Sequence, residues 1–141
     1  MREQTTTPRD IAILAGLYSP RLEERENADS ESMEELEALV ETAGGEAAAS
    51  VLQSRVAPDP RTFIGEGKVE EIKELIKTEE ATTVIFDNDL SPSQMRVLTE
   101  EFGVQVLDRS ALILDIFAQR ARTREGRLQV EVAQYQYLLP R

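Results

Sequence analysis

Residues 83–108, TVIFDNDLSPSQMRVLTEEFGVQVLD, constrain the chain more than any other stretch. Two short apolar runs, TVIFD and VQVLD, flank a single amphipathic segment. Ser91-Pro92 is a good N-cap and first-turn pair, and Gly103 is a helix stop. A strand, a helix and a second strand joined by connections this short imply two parallel strands and a crossover. Both apolar runs end in an aspartate, Asp87 and Asp108.

The same alternation extends outward. IAILAGLY at 11–18 suits a buried strand, and the polar residues 19–31 read as a loop. Ser32 and Glu35 have capping-box spacing, opening a helix with Met33, Leu36, Leu39 and Val40 on one side and a stop at Gly44-Gly45. AAASVLQSRV at 47–56 fits a second strand, although an Ala-rich segment also suits a helix; Pro58 and Pro60 break the chain after it. In KVEEIKELIKTEE, Val69, Ile72, Leu75 and Ile76 recur at helical spacing. Ser110 is placed to cap a helix through ALILDIFAQRAR. The expectation is an α/β fold: a four-stranded, mainly parallel sheet with flanking helices and right-handed crossovers. Residues 1–110 form the α/β body and residues 111–141 a helical arm.

In the last segment Leu128, Val132, Tyr135 and Leu139 form a helical seam, while Leu128, Val130 and Val132 alternate as in a strand. Its length favours the helix. The seam stays apolar almost to residue 141, so it is expected either to dock on another element or to belong to a fragment whose returning helix is missing.

Composition excludes several chemistries. Without cysteine or histidine there is no disulfide, Cys/His zinc site, Cys nucleophile or imidazole base. No signal-peptide pattern opens the sequence, and no run approaches the roughly 20 apolar residues of a membrane span. A soluble cytoplasmic protein is expected. The net charge of −11 is uneven: residues 105–141 hold six arginines against four acids, leaving +2 there and −13 elsewhere.

Three constellations are candidate sites. TFIGEGKVE at 62–70 places Gly65, Gly67 and Lys68 before a helix. A phosphate loop of the G-x-x-x-x-G-K-[ST] type needs Gly at 62 and a hydroxyl at 69, where Thr62 and Val69 stand. A modest anion site at a helix N-terminus remains, against a plain turn in which both glycines supply positive φ. Asp87 and Asp108 lie where parallel sheets place ligand groups, and where ordinary caps also occur. Arg120, Arg122, Arg124 and Arg127 suit RNA phosphates at a bend, or a solvated face paired with Asp115, Glu125 and Glu131.

DRSALILDIFAQRARTREGRLQVEVAQYQYLLPR at 108–141, with TFIGEGKVEE at 62–71 and VIFDNDLSPSQMRVL at 84–98, resembles the N-terminal domain of the HflX family of translational GTPases. That resemblance implies an α/β subdomain followed by a long helical hairpin, ahead of a Ras-like G domain. It implies binding to the large ribosomal subunit, contact with ribosomal RNA, and splitting of stalled or idle ribosomes under stress. It places GTP and Mg²⁺ in the G domain, which lies outside this sequence, so no GTPase motif or catalytic residue is expected here. It also makes Gly65-Glu66-Gly67-Lys68 a candidate for adenine nucleotide. Two rivals remain: a nucleotide hydrolase using Lys68 with Asp87 or Asp108, and a regulatory module that restrains the G domain without touching RNA.

Overall fold

The computed structural model describes residues 9–123, with side chains through Arg120. Four strands form one sheet: β1 (Ile11–Tyr18), β2 (Glu46–Ser54), β3 (Thr83–Phe86) and β4 (Gln105–Asp108). Four helices accompany them: α1 (Ser30–Thr42), α2 (Glu66–Glu79), α3 (Pro92–Phe102) and α4 (Arg109–Thr123). Every strand pair is parallel and the strand order is β2-β1-β3-β4. The expected α/β sheet is present and wholly parallel.

β1 lies between β2 and β3, which pair its two edges, and its apolar residues point to both faces, so both faces must be covered. Its residues from Ala12 to Leu17 are all buried. Ile13, Ala15 and Leu17 join Val69, Ile72, Leu98 and Phe102 from α2 and α3 on one face. Ala12 and Leu14 join Met33, Leu36, Val40, Leu112 and Ile116 from α1 and α4 on the other. The β1-to-β2 crossover thus uses one face and the two later crossovers use the opposite face. A reversal of direction along the sheet demands that change of face if all crossovers share one hand. Gly16 is glycine because α1 lies so close: a Cβ there would sit 2.7 Å from the Met33 sulfur and 2.8 Å from Ala28 Cβ.

Element ends differ from the sequence reading where tertiary contacts decide them. α1 is capped by Asp29, not Ser32. The Asp29 carboxylate accepts the Ser32 N–H at 2.8 Å, and the Ser32 hydroxyl accepts the Asp29 N–H at 2.9 Å. Ser32 is therefore the third helical residue, half of a reciprocal cap. β2 ends at Ser54 because its partner β1 ends opposite it at Tyr18. α4 begins at Arg109. Asp108 takes the capping role, accepting the Ala111 N–H at 3.0 Å, while the Ser110 hydroxyl donates to Asp89 at 2.9 Å. Leu112 and Ile116 bury the first turns of α4 in the core. Among the described residues no helix is long and apolar enough to cross a membrane.

Where β3 ends, a side chain continues its ladder. The buried Asn88 accepts the Leu17 N–H at 2.8 Å and donates to the carbonyls of Leu17, at 3.0 Å, and Glu26, at 2.8 Å. Asn88→Ala strands all three groups, and a loss of about 2–4 kcal/mol is expected in urea unfolding. A loss below about 0.5 kcal/mol contradicts this role.

Candidate functional site

The strand order reverses between β1 and β3, and a doubly wound sheet opens a crevice there, outside the strands' C-terminal ends. A cleft of about 410 Å³ occupies that place, walled by Leu22, Phe63, Asp87, Asn88, Arg109 and Ile113 among others. The turn after β1, including a single 3-10 turn at Glu24–Glu26, forms one side. The segment after β3 forms the floor, and the start of α4 closes the far wall.

Asp87 and Asp108 both reach this edge but enter separate networks. Asp87, with its side chain only 3% exposed, accepts Arg109 Nε at 2.9 Å on one oxygen. Its other oxygen accepts the Ser32 hydroxyl at 2.6 Å. Arg109 also donates to the Ser32 carbonyl at 2.9 Å and meets Glu35 at 3.4 Å. The second Asp108 oxygen accepts the Leu90 N–H at 3.2 Å, completing a carboxylate already used as a cap. All four oxygens are engaged by backbone, hydroxyl or guanidinium donors, which is the arrangement of structural anions rather than an acid–base pair.

The Gly65-Glu66-Gly67-Lys68 turn has a different logic from the one its composition suggests. Gly65 caps α2 with a φ of −72°, and neither glycine is among the positive-φ residues, so positive φ does not explain them. Gly65 instead sits against two long side chains: a Cβ there would meet the Arg55 guanidinium and lie 3.1 Å from Gln53 Nε2, so those side chains would have to shift. The Gly65 N–H is taken by Gln53 Oε1 at 2.9 Å. Lys68 pairs with Glu71 at 2.9 Å along the helix. These two bonds fit an ordinary helix start. Among the described residues there is also no acidic cluster fit to hold Mg²⁺.

The loop before this turn carries backbone strain. Phe63 has φ +68°, held by paired backbone hydrogen bonds with Asp59 at 2.8 and 3.0 Å. Its ring is buried edge-on to Phe86, with centroids 6.4 Å apart.

Arg120 and Arg122, the described members of the arginine cluster, lie far from the cleft. α4 starts at the cleft and runs back toward the N-terminal ends of the strands, where Gln119 lines a groove with Asp10, Thr83 and Gln105. Arg109 and Arg120 are thus about 16 Å apart along the axis. Arg120 is exposed and Arg122 lies in the last turn of α4. Arg124, Arg127 and the seam of Leu128, Val132, Tyr135 and Leu139 fall outside the described residues. The Arg109 hub was not legible from spacing. Its one signal is an arginine directly after a strand-terminal aspartate.

The fold and this edge define the class: a doubly wound, parallel α/β domain with a cleft at its switch point and an arginine-bearing helix, α4, after the last described strand. The chain belongs to the GTP-binding GTPase N-terminal family, whose model matches residues 30–118. It is 47% identical over 140 residues to the GTPase HflX of Alkalihalophilus pseudofirmus, covering 98% of this chain and 32% of that protein. It is 51% identical over 130 residues to the GTPase HflX of Escherichia coli, covering 92% and 29%. A GTP-binding protein from the archaeon Sulfolobus solfataricus, solved with GDP, superposes with a TM-score of 0.62 at 31% identity, covering 93% of this chain and 37% of that one. The chain spans about a third of the length of the curated relatives it matches.

Asp59 lies below the ordinary carboxylate range, because its carboxylate accepts the backbone N–H groups of Thr62 and Arg61. A depressed value means the contribution is present above the unfolded value, about 3.9, and is lost as pH falls through the folded one. Amide protection at Arg61 and Thr62 is expected to fall below about pH 4 in hydrogen exchange, and this acid step is expected to be absent in Asp59→Asn. The same protection curve in both proteins contradicts the assignment.

Proposed function

We propose that this chain is the ribosome-contacting N-terminal domain of an HflX-like GTPase that binds the large ribosomal subunit and promotes splitting of stalled or idle ribosomes. One observation carries the reading: the position of the cations. The body is strongly acidic, its Arg109 is engaged at the cleft, and α4 takes Arg120 and Arg122 to the opposite edge of the sheet. Arg124 and Arg127 extend that run in the sequence. Guanidinium forks pair phosphate in two-pronged fashion, and a local patch of them outweighs the net charge of the domain.

In this reading the chain binds and positions, and catalyses nothing itself. Its buried first turns hold α4 to the body, and the far end meets ribosomal RNA in the cytoplasm. GTP and Mg²⁺ belong to a G domain of the whole protein, the domain's second partner. In the whole protein, GTP-dependent docking would press the arm into the subunit and favour separation.

A second reading, in which the domain takes an adenine nucleotide, is favoured by the cleft. Its volume and switch-point position suit a small ligand, with Arg109 and Asn88 among its polar walls. Titration with ATP tests it: saturable binding that Lys68→Ala leaves intact places the ligand in the cleft, and binding lost in Lys68→Ala places it at the turn. No binding removes this reading.

The first reading is tested by co-sedimentation with purified large subunits across a salt series. Wild type is expected to pellet and to weaken steeply with salt, and Arg120→Glu/Arg124→Glu is expected to bind at least about tenfold more weakly. Equal pelleting of both proteins, or none by either, overturns it. Equal, salt-insensitive pelleting points instead to a regulatory module that contacts protein.

A further inference from the structure

We infer that Arg109 is a positioning residue: it sets the direction in which α4 leaves the body, and through it the placement of the arginines at the helix's far end. The consequence for RNA rests on the ribosome-contact reading above. The geometric claim does not.

Arg109 is the first residue of α4, and its guanidinium meets two other elements at once. Nε donates to Asp87 after β3 at 2.9 Å, and Nη2 donates to the Ser32 carbonyl in the first turn of α1 at 2.9 Å. Glu35, one turn further along α1, is 3.4 Å away. Asp87 is itself fixed, because Ser32 donates its hydroxyl to the second oxygen at 2.6 Å. Ser32 is fixed in turn by the reciprocal cap with Asp29. A planar fork held in two directions defines an orientation, whereas a point charge defines only a distance.

The apolar contacts of α4 set that orientation only loosely. Leu112 and Ile116 hold the helix on the sheet, but packed helices scatter by about 15–20° around a preferred crossing angle. The pair is a poor candidate for a purely stabilising device, since desolvation offsets much of what a largely buried ion pair contributes. The helix also acts as a lever. Gln119 lies about 15 Å along the axis from Arg109, so a pivot of about 10° at the root moves the far end by about 3 Å. That displacement equals the whole length of a hydrogen bond.

The cysteine-free sequence makes the test direct. Spin labels on Glu74→Cys in α2 and Gln119→Cys in α4 report a distance across the sheet, and α2 has no bond to Arg109. The labelled parent is expected to give one narrow distance distribution. Arg109→Met, which keeps the stem and removes the donors, is expected to broaden it. Arg109→Lys, which keeps the charge toward Asp87 but lacks the second arm, is expected to fall between. Unfolding midpoints confirm that each variant is folded. If Arg109→Met does not fold, the Lys variant decides by the same criterion. A distribution as narrow as the parent's in the folded variant overturns the proposal.

Unlabelled proteins then test the consequence on large subunits. Arg109→Met is expected to bind about tenfold more weakly or worse, the scale of one lost charge-assisted contact, with Arg109→Lys intermediate. Undiminished binding by Arg109→Met, while Arg120→Glu/Arg124→Glu loses binding, overturns the positioning role and leaves the contact reading standing. Undiminished binding by Arg120→Glu/Arg124→Glu overturns the contact reading, and the distance distribution alone then decides the geometric claim.

Discussion

Everything in this domain depends on burying β1 from both sides. Six consecutive residues, Ala12 to Leu17, have no access to solvent worth the name, so neither face of the strand is free to be polar. A strand of that kind is stable only inside a parallel sheet with helices above and below. Its place between β2 and β3 then fixes the rest. The chain must leave β1 in one direction for β2 and cross back for β3, and that reversal creates the crevice at the C-terminal edge. Fully burying a Leu or Ile side chain stabilises by roughly 1.5–3 kcal/mol, so Ile13, Leu14 and Leu17 outweigh any single polar contact at the edge.

The polar contacts decide geometry instead. Asn88 extends the β3 ladder after the strand has ended, Asp108 ties the segment after β3 to the start of α4, and Arg109 ties α4 to α1. Arg109 and Ser32 are separated by 77 positions, yet they meet because α1 and α4 share a face of the sheet. Packing brings the elements together and the hydrogen-bonded groups fix their angles. The two ends of α4 therefore have different characters, one bolted into the body and one carrying the exposed Arg120.

The alternation of strand and helix was legible in the sequence because period-2 and period-3.6 patterns are local properties. TVIFD, VQVLD and the seam Val69, Ile72, Leu75 and Ile76 announce themselves within a few residues. The ends were less legible, because distant groups set them. Ser32 looked like a cap and is half of one, since Asp29 lies within reach just upstream. The turn at Gly65 read as a modest anion site at a helix N-terminus or as a positive-φ turn. Its glycine packs beside Arg55 and Gln53, side chains from the β2 region that no local pattern reveals. Asp87 and Asp108 were placed correctly at strand ends, but their partners depend on the crossing of α1 and α4. Arg109 read as one arginine of six, and only the assembled fold distinguishes it.

The most direct measurement places a benzophenone photocrosslinker on Gln119→Cys at the far end of α4, with Glu74→Cys in α2 as the reference, and irradiates each with large ribosomal subunits. Crosslinks to ribosomal RNA from position 119, and none from position 74, are the predicted result. Crosslinks from position 119 to protein alone, or RNA crosslinks of equal yield from both positions, contradict an RNA-contacting arm.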